Sequence, residues 1–163
     1  MQRVDSQDVP FDDASFDAVI SNAMLYHVPD IEKAISEVHR ILRQGGTFYA
    51  STFGENGLSS YIDDCLYETG QKKDKSPTVN FTLKNGEKAL AKQFKTVKRI
   101  DYEDSLKITD VKDLIQYICS MTSTQKLTPQ NVGDLIQVLE KRRDRDGFIV
   151  ISKEYGAFVS TKE

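Results

Sequence analysis

The sequence predicts an α/β fold in which parallel strands are joined by a helical crossover and antiparallel strands close the carboxyl-terminal end. Three observations carry that prediction. A short β-branched run at 16–20, an amphipathic stretch from residue 31 and a second strand-like run at 47–52 follow one another in the order of a βαβ unit. Capping and turn residues stand at both junctions. Late in the chain, 148–152 and 157–161 read as two strands around a Glu154-Tyr155-Gly156 turn.

Each element has its own grounds. Phe16, Asp17, Ala18, Val19 and Ile20 form an apolar run bounded by polar residues, which suits a buried parallel strand. Pro29 stops the preceding segment, and Asp30 can cap the next helix because its carboxylate accepts an orphan backbone N–H. Ile31, Ala34, Ile35, Val38, Ile41 and Leu42 recur at helical spacing, with Glu32, Lys33, Ser36, Glu37 and Arg40 opposite. His39 falls on the polar side and reads as a surface residue. Gly45-Gly46 is expected to end this helix, and 47–52 to form the second strand. A parallel pair with a helical crossover buries both faces of its sheet, so helices are expected on either side.

Further along, Leu58, Ile62, Cys65 and Leu66 mark one side of a helix closed by Gly70. Residues 71–78 are charged and contain proline. They read first as a solvated connection and second as part of a lid over a pocket. A helix over 86–94 is followed by a strand over 96–102 with Val97, Ile100 and Tyr102 as its apolar positions. Thr109 is the expected cap of a helix carrying Val111, Leu114, Ile115 and Ile118. Thr128-Pro129 opens another, with the stripe Val132, Leu135, Ile136 and Leu139, ended by Asp146-Gly147. Lys84, Lys88, Lys92 and Lys95 recur three or four apart on a helical face, and Lys98 and Arg99 follow. Without interleaved aromatics this run reads as a solvated face in preference to an RNA or anion contact.

In open α/β sheets, ligands bind beyond the carboxyl ends of the strands. Here that edge comprises residues 21–27 after the first strand and Thr52-Phe53-Gly54 after the second. Asn22, Tyr26 and His27 are the polar candidates for ligand contact. For Asn22 and His27, satisfying loop backbone groups is an equally open reading.

At this point several motifs stand in one order: Asp5, Val9-Pro10-Phe11, Ser15-Phe16-Asp17-Ala18-Val19, His27-Val28-Pro29-Asp30 and Leu42-Arg43-Gln44-Gly45-Gly46. Together they resemble the second half of a class I S-adenosylmethionine-dependent methyltransferase of the small-molecule group. Gln44 stands where that family usually has proline. The resemblance implies a partial Rossmann-like methyltransferase sheet and S-adenosylmethionine as cofactor. It implies that Asp5 meets the adenine amino group, that Ser6 places a backbone amide near the same ring, and that Asn22 and Ala23 line the methionine end. Leu25 and Tyr26 would face the acceptor pocket. The alternative for Asp5 is an ordinary turn carboxylate. If a general base is needed, His27 is the nearby side chain whose unperturbed pKa is close to neutral. No metal is implied. The family's glycine-rich turn and its acidic ribose-binding residue have no counterpart here, so on the order of 60 residues are expected to be absent from the amino end. The expectation is therefore a single incomplete domain over 1–163, with a cofactor-side part at 1–54 and carboxyl-terminal helices and strands at 55–163. This chain by itself is expected to be inactive and to bind the cofactor weakly or not at all.

Composition narrows the remaining classes. A net charge of −3 and a pI near 5.5 argue against a dedicated nucleic-acid binder, which needs a basic surplus. No apolar run approaches the roughly 20 residues that span a bilayer. The cysteines Cys65 and Cys119 share no short spacing and read as reduced thiols of a cytoplasmic protein. Two functions remain: methyl transfer to a small-molecule acceptor, or a non-catalytic carboxyl-terminal remnant serving as a binding or dimerisation module. With the first and second strands of the family absent, the strand at 16–20 would be an unprotected edge, and a homodimer through that edge is expected, or exchange of the 2–5 segment. Fold-back of that segment onto its own strand is the alternative.

Overall fold

The computed structural model describes residues 3–70, 79–120 and 128–163. Four strands, β1 (Phe16–Asn22), β2 (Leu42–Phe53), β3 (Thr96–Ile108) and β4 (Ile149–Thr161), form one sheet in the order β1-β2-β4-β3. Five helices accompany them: α1 (Ile31–Ile41), α2 (Leu58–Glu68), α3 (Gly86–Leu90), α4 (Val111–Ser120) and α5 (Pro129–Asp146). β1 and β2 are parallel, as a helical crossover requires, and β2 and β4 are antiparallel. The expected mixed α/β class is what forms.

The chain divides into two compact units. The first holds residues 3–55, 79–103 and 154–163, and the second holds 56–70, 104–120 and 128–153. Residues beyond 54 thus return to the first unit instead of forming one continuous carboxyl-terminal part. In the first unit, the sheet face bearing Phe48, Ala50 and Phe158 is buried beneath α1 and α3, with Ala34, Ile35, Val38, Leu90 and Phe94 filling the core. In the second, α2, α4 and α5 pack around Cys65, Ile118, Leu135, Leu139 and Ile151.

Local chemistry explains the helix ends. Asp30 accepts from the Lys33 N–H at 3.0 Å, the cap expected from the sequence. Thr128 and Asn131 form a reciprocal capping box, and Gly147 closes α5 in the left-handed conformation at φ 75°. At α4 the cap is Asp110, not Thr109, because the Asp110 carboxylate accepts from the Lys112 N–H at 2.7 Å.

Several expectations need correction. Among the described residues of the first unit, helices cover only one face of its sheet. Ile20 and Tyr49 are register partners on the other face and are 74% and 42% exposed. Gly45-Gly46 does not end α1, which stops at Ile41 with Leu42 already extended. The pair instead lies within β2, where the register jumps from Phe16↔Leu42 to Ala18↔Thr47. Gly45 takes φ 77° there and donates its N–H to the Lys162 carbonyl at 2.7 Å. The Glu154-Tyr155-Gly156 turn does not exist, since β4 runs unbroken through it. Gly156 serves close approach: a Cβ there would lie 2.7 Å from the Ile100 carbonyl oxygen of β3.

α3 ends at Leu90, and a further turn carries Phe94 into the core. The lysine run is therefore not one helix face. Lys84 pairs with Glu55, Lys92 with Glu32, Lys95 with Glu163 and Arg99 with Asp101, as on a solvated surface. His39 is half-buried against the Phe94 ring instead of lying free on the surface. The connection at 71–78 lies outside the described residues, as does Gln2 of the amino-terminal segment. Residues 3–8 form a local Asp5–Asp8 bridge and do not pair with β1, so they do not make the fold-back alternative.

Candidate functional site

Parallel pairing aligns the carboxyl ends of β1 and β2, and Asn22 stands opposite Ser51. The antiparallel return of β4 places Ala157 beside Ser51, Gly156 beside Thr52 and Tyr155 beside Phe53. These residues, with Ala23, Tyr26, Ile100 and Tyr102, line a cavity of about 570 Å³, a size ordinary for small-molecule sites. It lies where open α/β sheets bind ligands.

One hydrogen-bonded knot shapes its floor. The Ser51 hydroxyl donates to Asn22 Oδ1 at 2.6 Å and accepts from the Ala23 N–H at 2.9 Å. Ala23 sits at φ 49°, a conformation uncommon for a residue with a Cβ, and Ser51 helps to hold it there. Strain of this kind at a strand end is typical of sites that position a ligand. Since the Oδ1 of Asn22 is occupied, its amide nitrogen is the group that can donate to a bound molecule. Beside the knot, the Tyr26 ring meets Phe53 edge-on at 4.7 Å and touches His27 at 4.3 Å.

The residues proposed from sequence separate here. Asn22, Ala23 and Tyr26 come together in the cavity wall. Leu25 does not: it is 1% exposed and belongs to the core, because the short 3-10 turn over Leu25–His27 points it inward. His27 is exposed and is not part of the wall. Asp5 and Ser6 are also outside it. The Asp5 carboxylate accepts from the Gln7 N–H at 2.9 Å, so it closes a local turn, which leaves its second oxygen able to accept from a ligand. Ser51, Ile100, Tyr102, Tyr155 and Ala157 were not legible as site residues, since they join the wall only through sheet pairing. The one available signal was that Ser51 immediately precedes Thr52-Phe53 at a strand's carboxyl end.

The segment leading into the site is stapled to α1. Glu37 accepts from the Val9 N–H at 2.9 Å and pairs with Arg40, whose guanidinium also donates to the carbonyls of Val9 and Phe11 and to Asp13. Hydrogen bonds from the Arg40 side chain and the Val9 backbone pull the Glu37 pKa down to about 2. The Gln7 side-chain oxygen accepts from the Asp30 N–H at 2.9 Å. Cys65 is no nucleophile candidate at neutral pH, since burial pushes its thiol up to about 11. Among the described residues no cluster of three or more acidic, histidine or cysteine side chains is placed to hold a metal, and no helix is long and apolar enough to cross a membrane.

Known proteins resemble this chain in part of its sequence and in its fold. Residues 1–50 match the family described as "Methyltransferase domain". The fold is the Rossmann-like fold of the S-adenosylmethionine-dependent methyltransferases, and the chain resembles that family both in its amino-terminal fifty residues and in its architecture. Among curated proteins, the "Ubiquinone/menaquinone biosynthesis C-methyltransferase UbiE" of Brucella anthropi is 44% identical over 50 residues, 31% of this chain and 19% of that protein. The chain therefore matches about a fifth of that relative's length. Among solved structures, the YcgJ protein of Bacillus subtilis superposes with a TM-score of 0.59 at 19% identity, over 99% of this chain and 70% of the other. BH2331 of Bacillus halodurans, described as "a putative methyltransferase", gives 0.58 at 15% identity over 97% and 75%. The cofactor this resemblance implies is S-adenosylmethionine.

The cavity floor fits one part of that cofactor. Asn22 and Ala23 offer neutral hydrogen-bonding groups where the resemblance places the methionine end. None of the lining side chains is charged, so the described wall brings no cation to a carboxylate.

Proposed function

We propose that this chain takes part in transferring a methyl group from S-adenosylmethionine to a small-molecule acceptor, with donor and acceptor meeting in the cavity beyond β1 and β2. The observation that carries the reading is the Asn22–Ser51–Ala23 knot. It lies at the strand ends where this fold binds ligands, and two of its three residues belong to the segment that matches the methyltransferase family. When bound, S-adenosylmethionine supplies an electrophilic methyl group on a sulfonium centre.

The chain's own contribution is positioning. Asn22 Nδ2 donates to the methionine end, Ser51 fixes both Asn22 and the Ala23 backbone, and Tyr26 with Phe53 holds the acceptor against that floor. Holding two reactants in line is a large part of what such a site can supply. With no carboxylate, imidazole or amine among the described residues of the wall, the acceptor's proton passes to solvent, and His27 has no role. Asp5 remains the proposed adenine contact through its open oxygen, with Ser6 beside it.

Calorimetric titration with S-adenosylmethionine tests the reading. Weak but measurable binding is expected, lowered by roughly 1 kcal/mol in Asp5→Ala and similarly in Asn22→Ala, the worth of one hydrogen bond. Binding that ignores Asn22→Ala would overturn the placement of the methionine end. A complete absence of binding at millimolar cofactor would favour the alternative of a non-catalytic binding module.

We also propose that a second copy pairs along β1, giving a homodimer. β1 is hydrogen-bonded to β2 on one side only, and Ile20 is 74% exposed beside that open edge.

A further inference from the structure

We infer that Tyr102 and Tyr155 select the acceptor, and that the acceptor is an uncharged, planar, ring-bearing molecule. This rests on the site proposed above but uses residues well outside the segment that matches the family. The outer wall of the cavity comes from the late strands: Ile100 and Tyr102 on β3, Tyr155 and Ala157 on β4. Tyr26 and Phe53 complete it, so four aromatic rings face one space of about 570 Å³. Tyr102 and Tyr155 are large aromatics left 66% and 49% exposed. Stacked rings gain roughly 0.5–1.5 kcal/mol beyond the area they bury, which makes such a wall selective for flat molecules.

The chemistry of the wall excludes other classes. An anionic acceptor needs a lysine, an arginine or a cluster of backbone N–H groups, and among the described residues no cationic side chain lines the cavity. A quaternary ammonium gains from tyrosine faces. Among the described residues no carboxylate lines the cavity to offset its desolvation, so the neutral ring is favoured. Gly156 sets the spacing. Because it lacks a side chain, β3 approaches β4 closely enough to bring Ile100 and Tyr102 to the wall.

Three probes of one shape and different charge test the inference by calorimetry: 2-naphthol, 2-naphthoate and trimethyl-(2-naphthyl)ammonium. 2-Naphthol is expected to bind about tenfold or more tightly than either ion. Tyr102→Ala and Tyr155→Ala should each weaken 2-naphthol several-fold with unchanged melting temperature, while Tyr102→Phe and Tyr155→Phe retain it. Tightest binding of the ammonium, equal binding of the naphthoate, or indifference to both alanine variants would overturn the inference. So would no binding of any probe. The cofactor titration is read separately. Naphthol binding without S-adenosylmethionine binding sinks methyl transfer and leaves the ring-selective wall standing; the converse sinks only the wall.

Discussion

Ser51 shows how much one side chain can hold. Its hydroxyl joins the ends of two strands by bonding Asn22 and the strained Ala23 backbone together. Ser51→Ala should cost about 1 kcal/mol in urea unfolding, the net worth of such a bond, and should weaken S-adenosylmethionine binding more than the stability loss alone would. Ser51→Thr, which keeps the hydroxyl, should restore most of both. Core and site residues should separate in the same assay. Ile35 is 1% exposed in the centre of the first unit's core, so Ile35→Ala is expected to cost ~2–4 kcal/mol. Tyr26 is only partly buried and lines the cavity, so Tyr26→Ala should leave stability within ~1 kcal/mol of the parent while impairing ligand binding. If Tyr26→Ala unfolds the protein as badly as Ile35→Ala, then Tyr26 is core and the acceptor wall loses a member.

Among the elements, α1 is tied down at both ends by partners distant in sequence. At its carboxyl end the Lys162 amine donates to the carbonyls of His39 at 2.7 Å and Leu42 at 2.8 Å, supplying the cation that the helix dipole favours there. Lys162→Met should therefore lower stability by about 1 kcal/mol, read as a shifted urea midpoint with an unchanged slope. Two groups on α1 make stability depend on pH. The folded pKa of Glu37 lies well below its ordinary value, at about 2. Its contribution is thus complete above the ordinary carboxylate range near 4.5 and is lost as pH falls through that window toward 2. The His39 pKa is held below 6.5 by burial and by the Lys162 charge. The folded state therefore prefers the neutral ring, and its contribution, complete above 6.5, falls away as pH drops below that value. Urea midpoints followed downward from neutral pH should show a decline that is absent in His39→Gln, and a second one at lower pH that is absent in Glu37→Gln.

At the scale of the whole molecule, the open features of the first unit lie together. β1 is a terminal strand of the sheet, and Ile20 and Tyr49 are exposed partners on the face turned away from α1 and α3. Asp17, on the same strand, is not free to discourage pairing, since both its carboxylate oxygens accept from Arg43 at 2.8 Å. An edge so arranged invites a second strand. Light scattering coupled to size exclusion should find a dimer at tens of micromolar chain, and Val19→Pro, which blocks an added strand at mid-β1, should give a monomer. A strict monomer in the parent chain at high micromolar concentration would refute the dimer.

The sequence by itself determined the elements whose signals are local. α1 is read from its apolar spacing and Asp30, α5 from Thr128 and Gly147, and β1 from its β-branched run, because period, cap and left-handed glycine are properties of neighbouring residues. It also determined the family resemblance and two of the three residues of the cavity floor, Asn22 and Ala23, since strand ends follow from strand positions. Only the tertiary structure decided the rest. Whether a glycine turns a chain or admits a neighbouring strand depends on what approaches it, so Gly156 gave a false turn and Gly45 a false helix end. Whether Leu25 faces core or ligand depends on one turn of backbone between two elements. The aromatic wall of Tyr102 and Tyr155 exists because the antiparallel return of β4 brings Tyr155 opposite Phe53 at the end of β2 and β3 lies beside β4, a pairing that no local pattern encodes.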